Sequence, residues 1–241
     1  MFAVREELEK LVVAPGGSGR YRYEDLKELK KDLECVAELK ADGGVNVLHK
    51  DQFKVLVPAL IQSCVLAKDD KVREFAGRLI RGSRKGFGVR LNSTQGFYQG
   101  ILEKKIKMIV PAFNVRSLSF DTMTSLFKAV RDEKVGLFIL EIAQSEIGYT
   151  KQPPMEYATV AIAAALYSGY EGDIILQLDH LQAGNNSEEE MKKVVRLIRE
   201  SCDAGFGAVD IDMSKLVNYK KQGLSQQQAE NVRLTAYFAL L

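Results

Sequence analysis

Asp179 and His180 stand side by side at the end of an apolar run, Ile174-Ile175-Leu176-Gln177-Leu178, and polar Gln182, Gly184, Asn185 and Asn186 follow closely. A neutral imidazole binds divalent metals, and an adjacent carboxylate can move a proton. A buried parallel strand reads as a continuous apolar run, and α/β barrels place their chemistry at the C-terminal ends of such strands. The bland alternative is that Asp179 caps the next turn and His180 is an ordinary surface histidine. The dipeptide alone does not choose between them.

Other residue groups carry weaker chemistry. Glu141 and Glu146 flank the end of a second apolar run, where a carboxylate can serve as ligand or base; Glu146, at a loop start, reads as solvated. The basic, glycine-rich stretch Arg81-Gly82-Ser83-Arg84-Lys85-Gly86-Phe87-Gly88-Val89-Arg90 has the donors to grip phosphate. It lacks the P-loop pattern and follows no strand, so it reads as a flexible surface loop. His49, before a helix start, reads as an ordinary surface histidine. Glu188-Glu189-Glu190 match a helix N-terminal dipole, and Pro15 to Gly19 and Gly43-Gly44 read as turns.

The elements that must hold these residues fall into two grammars. Up to about residue 105 the chain looks helical and charged, with segments at Glu6–Val13, Tyr23–Lys40, Asp51–Leu66, Asp70–Ile80 (closed near Gly82) and Ser93–Lys105. From Lys107 strands and helices alternate. The strand runs are Met108–Val115, Val135–Ile142, Ile174–Leu178 and Ala208–Asp212; the helices are Phe120–Asp132, Pro153–Ser168, Ser187–Ala204 and Ser225 to the end. Pro opens the second helix, and Ser187-x-x-Glu190 and Ser225-x-x-Gln228 are capping boxes. Four consecutive strand-then-helix units predict a parallel sheet with right-handed crossovers.

Composition sets the outer bounds. The 241 residues carry 34 basic and 32 acidic side chains, a formal net charge of +2, so nothing marks a nucleic-acid or membrane-surface binder. Cys35, Cys64 and Cys202 are scattered outside any C-x-x-C spacing, which suggests reduced thiols. The charged start forms no signal-peptide core, and no apolar stretch approaches the roughly 20 residues of a membrane span. The expectation is a soluble, cytoplasmic protein.

Four stretches in order resemble the class II, metal-dependent ketose-bisphosphate aldolases, the fructose- and tagatose-bisphosphate aldolase group. They are Val110-Pro111-Ala112-Phe113-Asn114-Val115, Ile139-Leu140-Glu141-Ile142-Ala143-Gln144-Ser145, Gln177-Leu178-Asp179-His180-Leu181-Gln182, and Ala204-Gly205-Phe206-Gly207-Ala208-Val209-Asp210-Ile211-Asp212-Met213-Ser214. The resemblance implies a (β/α)8 TIM barrel, present here as about four βα units over residues 106–241, preceded by a helical extension over 1–105. It implies a carbon–carbon lyase that splits a ketose bisphosphate, fructose-1,6- or tagatose-1,6-bisphosphate, into dihydroxyacetone phosphate and glyceraldehyde 3-phosphate. By that likeness Asp179 is the catalytic acid/base, His180 a ligand to Zn2+, Asn114 and Ser145 bind substrate, and Asp212 supports the metal site.

This chain departs from the family pattern in ways that bear on activity. The family's remaining ligands and phosphate loops lie on later strands, and only His49 and His180 are histidines here. Catalytic zinc takes three protein ligands plus an open position. His180 with Asp179 or Asp212 makes a poor zinc site, so the chain as written is expected neither to hold zinc tightly nor to turn over. Ser214 is followed by Lys215 where many members have Ser-His, a mark of a divergent subfamily. The stretch after Lys107 is also about half the length a complete barrel needs, which is about 250 residues. A half-barrel leaves an open sheet edge, which predicts self-association into a homo-oligomer. The rival readings are a non-catalytic aldolase-like scaffold or binding subunit, and a different metal-dependent barrel hydrolase.

Overall fold

The Asp-His strand lies inside a parallel sheet. The computed structural model describes residues 21–40 and 44–240. Within them β4 (Ala112–Asn114), β5 (Ile139–Ala143), β6 (Gly172–Leu181) and β7 (Ala208–Ile211) pair in sequential order, each parallel to the next. β3 (Val89–Asn92) also adjoins β6. The helices α5 (Ser119–Asp132), α6 (Gln144–Thr150) with α7 (Pro154–Ser168), and α8 (Glu188–Ala204) make the crossovers, and α9 (Leu224–Phe238) follows β7. An α/β architecture with a parallel sheet is thus observed. Among the described residues no helix is long and apolar enough to cross a membrane.

The chain divides into two units. The second comprises Leu91–Ser117, Gly136–Ala158 and the chain from Asp173 onward. Its core is the interior of β5 and β6, where Leu140, Ile142, Ile174, Leu176 and Leu178 are all fully buried. That two-sided burial is why these strands are apolar along their length rather than alternating. α8 starts at the expected N-cap, with the Ser187 hydroxyl accepting from the Glu190 amide at 3.3 Å; the Glu190 carboxylate accepts from the Gly184 amide instead of closing the capping box. It stops at Gly205, whose φ of 92° is the left-handed conformation glycine takes without strain. The strand expected over Met108–Val115 shrinks to Ala112–Asn114, leaving Ile109 94% exposed. Pro111 has no amide to give a ladder; only its carbonyl serves, accepting from the Ile139 amide at 2.9 Å. The expected helix over Ser93–Lys105 is likewise the shorter α4 (Gln95–Leu102), with no buried residue.

The first unit comprises the described residues through Arg90, with Leu118–Val135 and Thr159–Gly172. Tyr23, Phe53, Leu60, Val72, Leu79 and Phe127 fill its core. α2 (Lys50–Leu66) and α3 (Asp70–Ser83) lie close to their expected spans and pack on each other. Two expectations fail here. The helix expected over Tyr23–Lys40 is α1 (Leu26–Leu33), followed by β1 (Ala37–Leu39), which pairs antiparallel with β2 (Val45–Val47). Cys35 turns the chain with a left-handed φ of 65°. The carbonyl of buried Val36 then accepts from the Leu48 and His49 amides, so the backbone groups a longer helix would pair are spent on the hairpin. Nor is Arg81–Arg90 a loop: it is the end of α3, a 3-10 turn over Arg84–Phe87 closed by Gly88 at φ 73°, and the start of β3. The segment expected over Glu6–Val13, the Pro15-to-Gly19 turn and Gly43 lie outside the described residues.

Candidate active site at the strand ends

The C-terminal ends of β4 to β7 all deliver polar residues, and parallel register sets which ones meet. Asn114 stands beside Glu141, Glu141 beside Gln177, and Ala143 beside Asp179. Because side chains alternate along a strand, Gln177 and Asp179 share a face, and so do Glu141 and Ala143. By the same alternation His180 belongs on the opposite face. It is turned instead. His180 takes a left-handed φ of 47°, and the β6–β7 ladder shifts register between Leu178 and Leu181. The distortion brings the imidazole Nε2 to 3.8 Å from Asp179 and Nδ1 to 3.6 Å from both Asp210 and Asp212. Left-handed backbone at a non-glycine residue costs energy and concentrates at functional sites.

Asp179, His180 and Asp210 form a potential ligand set, each offering one donor atom, with all three atoms within 4.8 Å of one another. The Asp179 side chain is 14% exposed and that of His180 63%, so the set has a sheltered side and an open one. Asp212 stands alongside. Hydrogen bonds from Ser214 and Gln182 hold its carboxyl down at about 2.

A second network anchors the first. Glu146, expected to be solvated, is buried at 6% exposure. Its carboxylate accepts from the Ala143 amide at 2.8 Å, from Asn114 Nδ2 at 3.1 Å, and from the Arg116 guanidinium. Burial raises the Glu146 pKa, but these three donors outweigh it and keep the group below the usual carboxylate range. Asn114 also reaches Asp179 at 3.4 Å, so one amide links the buried Glu146 carboxylate to Asp179. Glu141, bonded to Gln177 at 2.9 Å, moves the other way: burial, then repulsion from Asp179 and Glu146, raise its pKa.

Asn114, Glu141, Glu146, Asp179, His180 and Asp212 line one open cavity of about 810 Å³, within the usual range of ligand sites. The structure therefore brings together Asn114, Ser145, Asp179, His180 and Asp212, the residues singled out in the sequence, around that space. His49 is exposed at the start of α2 in the first unit. Two participants lacked a sequence assignment. Asp210 carried the only available signal, its two-residue spacing from Asp212 at a strand end. Arg116 carried none, because its role depends on Glu146 being buried.

Asp212 also supplies a pH test. A carboxyl held at about 2 when folded, against 3.8 ordinarily, contributes stability that is complete above 3.8 and is lost as the pH falls towards 2. Asp212→Asn is expected to flatten that acid limb in denaturant unfolding followed across this pH window. An unchanged slope would remove the electrostatic role assigned to Asp212.

The family model described as Fructose-bisphosphate aldolase class-II matches residues 101–239, more than half of the chain and including every residue of this site. Comparisons with curated proteins and with solved structures return no significant match.

Proposed function

Since the chain belongs to the class II fructose-bisphosphate aldolase family, we propose that its strand-end cluster cleaves a ketose bisphosphate, fructose-1,6- or tagatose-1,6-bisphosphate, to dihydroxyacetone phosphate and glyceraldehyde 3-phosphate. One observation carries the reading. Asp179, His180 and Asp210 converge within 4.8 Å at adjacent strand ends inside the matched segment. The sequential parallel order of β4 to β7 supports placing residues 106–241 in a (β/α)8 barrel.

The donor set fits a divalent cation: one imidazole nitrogen and two carboxylate oxygens, spaced closely and open on one side. Asp210 supplies the third ligand atom that His180 with Asp179 or Asp212 lacked. The set is poorer in imidazole than a typical catalytic zinc site, so it suits Mn2+ as well as Zn2+. When bound, the cation would polarise the substrate ketone and stabilise the negative charge that bond cleavage places beside it.

Asp179 accepts the proton of the substrate hydroxyl as the neighbouring carbon–carbon bond breaks. That hydroxyl carbon becomes the aldehyde, and the bonding electrons pass towards the ketone. Asn114, held by Glu146, fixes the Asp179 carboxylate. Ser145 and Lys215, on the cavity wall, offer a hydroxyl and a cation to a substrate phosphate. Incubation with fructose-1,6-bisphosphate and Mn2+ or Zn2+ is expected to release dihydroxyacetone phosphate. Release of inorganic phosphate without triose phosphate would instead identify a hydrolase on the same scaffold.

A further inference from the structure

A second cavity, of about 640 Å³, lies wholly within the first unit. Its walls are the β1–β2 hairpin and the C-terminal end of α3 with the 3-10 turn beyond it, and they share no residue with the strand-end site. Among the described residues five cationic side chains line it, Lys40, Arg78, Arg81, Arg84 and Lys85, and no carboxylate does. Like charges gathered around one space repel, and the repulsion grows as they leave water. Burial pulls the Arg81 guanidinium below its ordinary value, against opposition from Cys64, and the nearby Arg78 charge adds a smaller push the same way.

The guanidiniums are fixed rather than loose. Arg81 Nη1 donates to the Thr159 hydroxyl at 2.8 Å, and Arg84 Nη1 donates to the Arg81 carbonyl at 3.1 Å. The Nε–H of Arg84 is buried and has no hydrogen-bond partner among the described residues. A buried donor left unpaired is costly, and a charged one more so. Preset Arg forks lining an open cavity are an arrangement that binds phosphate oxygens through paired, charge-assisted hydrogen bonds.

We propose that this cavity binds a small ligand carrying two phosphate groups. Its volume suits a small metabolite, and five cations exceed what one phosphate dianion neutralises. The site gives a role to the basic stretch Arg81–Arg90, which the strand-end chemistry does not use.

The test is calorimetric titration of the protein with pyrophosphate and, separately, inorganic phosphate at fixed ionic strength, repeated with Arg78→Ala and Lys85→Ala. Both positions are exposed, so the fold is retained, which circular dichroism checks. Pyrophosphate is expected to bind at least about 10-fold more tightly than phosphate, and each substitution to weaken it about 10-fold, the scale of one charge-assisted hydrogen bond. His180→Gly is expected to leave this binding unchanged. The proposal is overturned if both substitutions bind pyrophosphate like the unsubstituted protein, if pyrophosphate is bound no better than phosphate, or if only His180→Gly abolishes binding. Tight binding of single-stranded RNA through Arg78 and Lys85 with none of pyrophosphate would also overturn it.

Discussion

Asp179→Asn is expected, even with divalent cation saturating, to cleave ketose bisphosphate about 10²- to 10⁴-fold more slowly, the usual contribution of a positioned acid/base. The substitution is nearly isosteric, and Asn114 still has an oxygen to donate to at that position. It removes the carboxylate that takes up the hydroxyl proton. A loss of cleavage that saturating cation does not restore separates the assigned role from that of a ligand alone or a structural residue: an Asp179 that merely capped a turn would cost stability and leave cleavage intact. Its placement favours the catalytic reading. Asp179 is mostly sheltered, yet its Oδ2 faces both the imidazole and Asn114. Steady-state rates and cation isotherms on the same preparation decide the matter.

His180→Gly is expected to move two properties in opposite directions. Cation affinity should fall by more than the roughly 10- to 100-fold that follows loss of a residue merely supporting a ligand, because a ligand itself is removed. The unfolding free energy without cation should not fall. His180 holds a left-handed φ of 47° that glycine adopts freely, and its side chain is 63% exposed, so little packing is lost. Backbone strain kept for a ligand's sake gives this signature. Titration with Mn2+ followed by electron paramagnetic resonance, with denaturant melts alongside, reads both. Unchanged affinity would remove His180 from the ligand set; a large loss of stability would mean the turned backbone serves packing.

Much of this site was legible in the residues themselves. The run ending in Asp179-His180 reads as a strand because both faces of β6 are buried, and Ser187-x-x-Glu190 marks a helix start because the hydroxyl caps the Glu190 amide. What remained hidden depended on distant partners. Nothing local to Glu146 shows that Asn114 and Arg116 will close over it. The turn of His180 towards Asp210 arises from a register shift between two strands, which no window of one strand contains. The β1–β2 hairpin was hidden because Leu26, Leu29, Leu33, Val36 and Leu39 also satisfy a helical period. The chain leaves that period only where Cys35 turns left-handed and Val36 meets Leu48.

The central claim is that Asp179, His180 and Asp210 make one metal-assisted site for carbon–carbon bond cleavage. It is tested most directly by stripping the protein of metal and following release of triose phosphate from fructose-1,6-bisphosphate as Mn2+ or Zn2+ is added back, with Asp179→Asn in parallel. The account predicts a rate that starts at background, rises and saturates with cation, and stays near background in the variant. A rate independent of added cation, or one that Asp179→Asn matches, would contradict it.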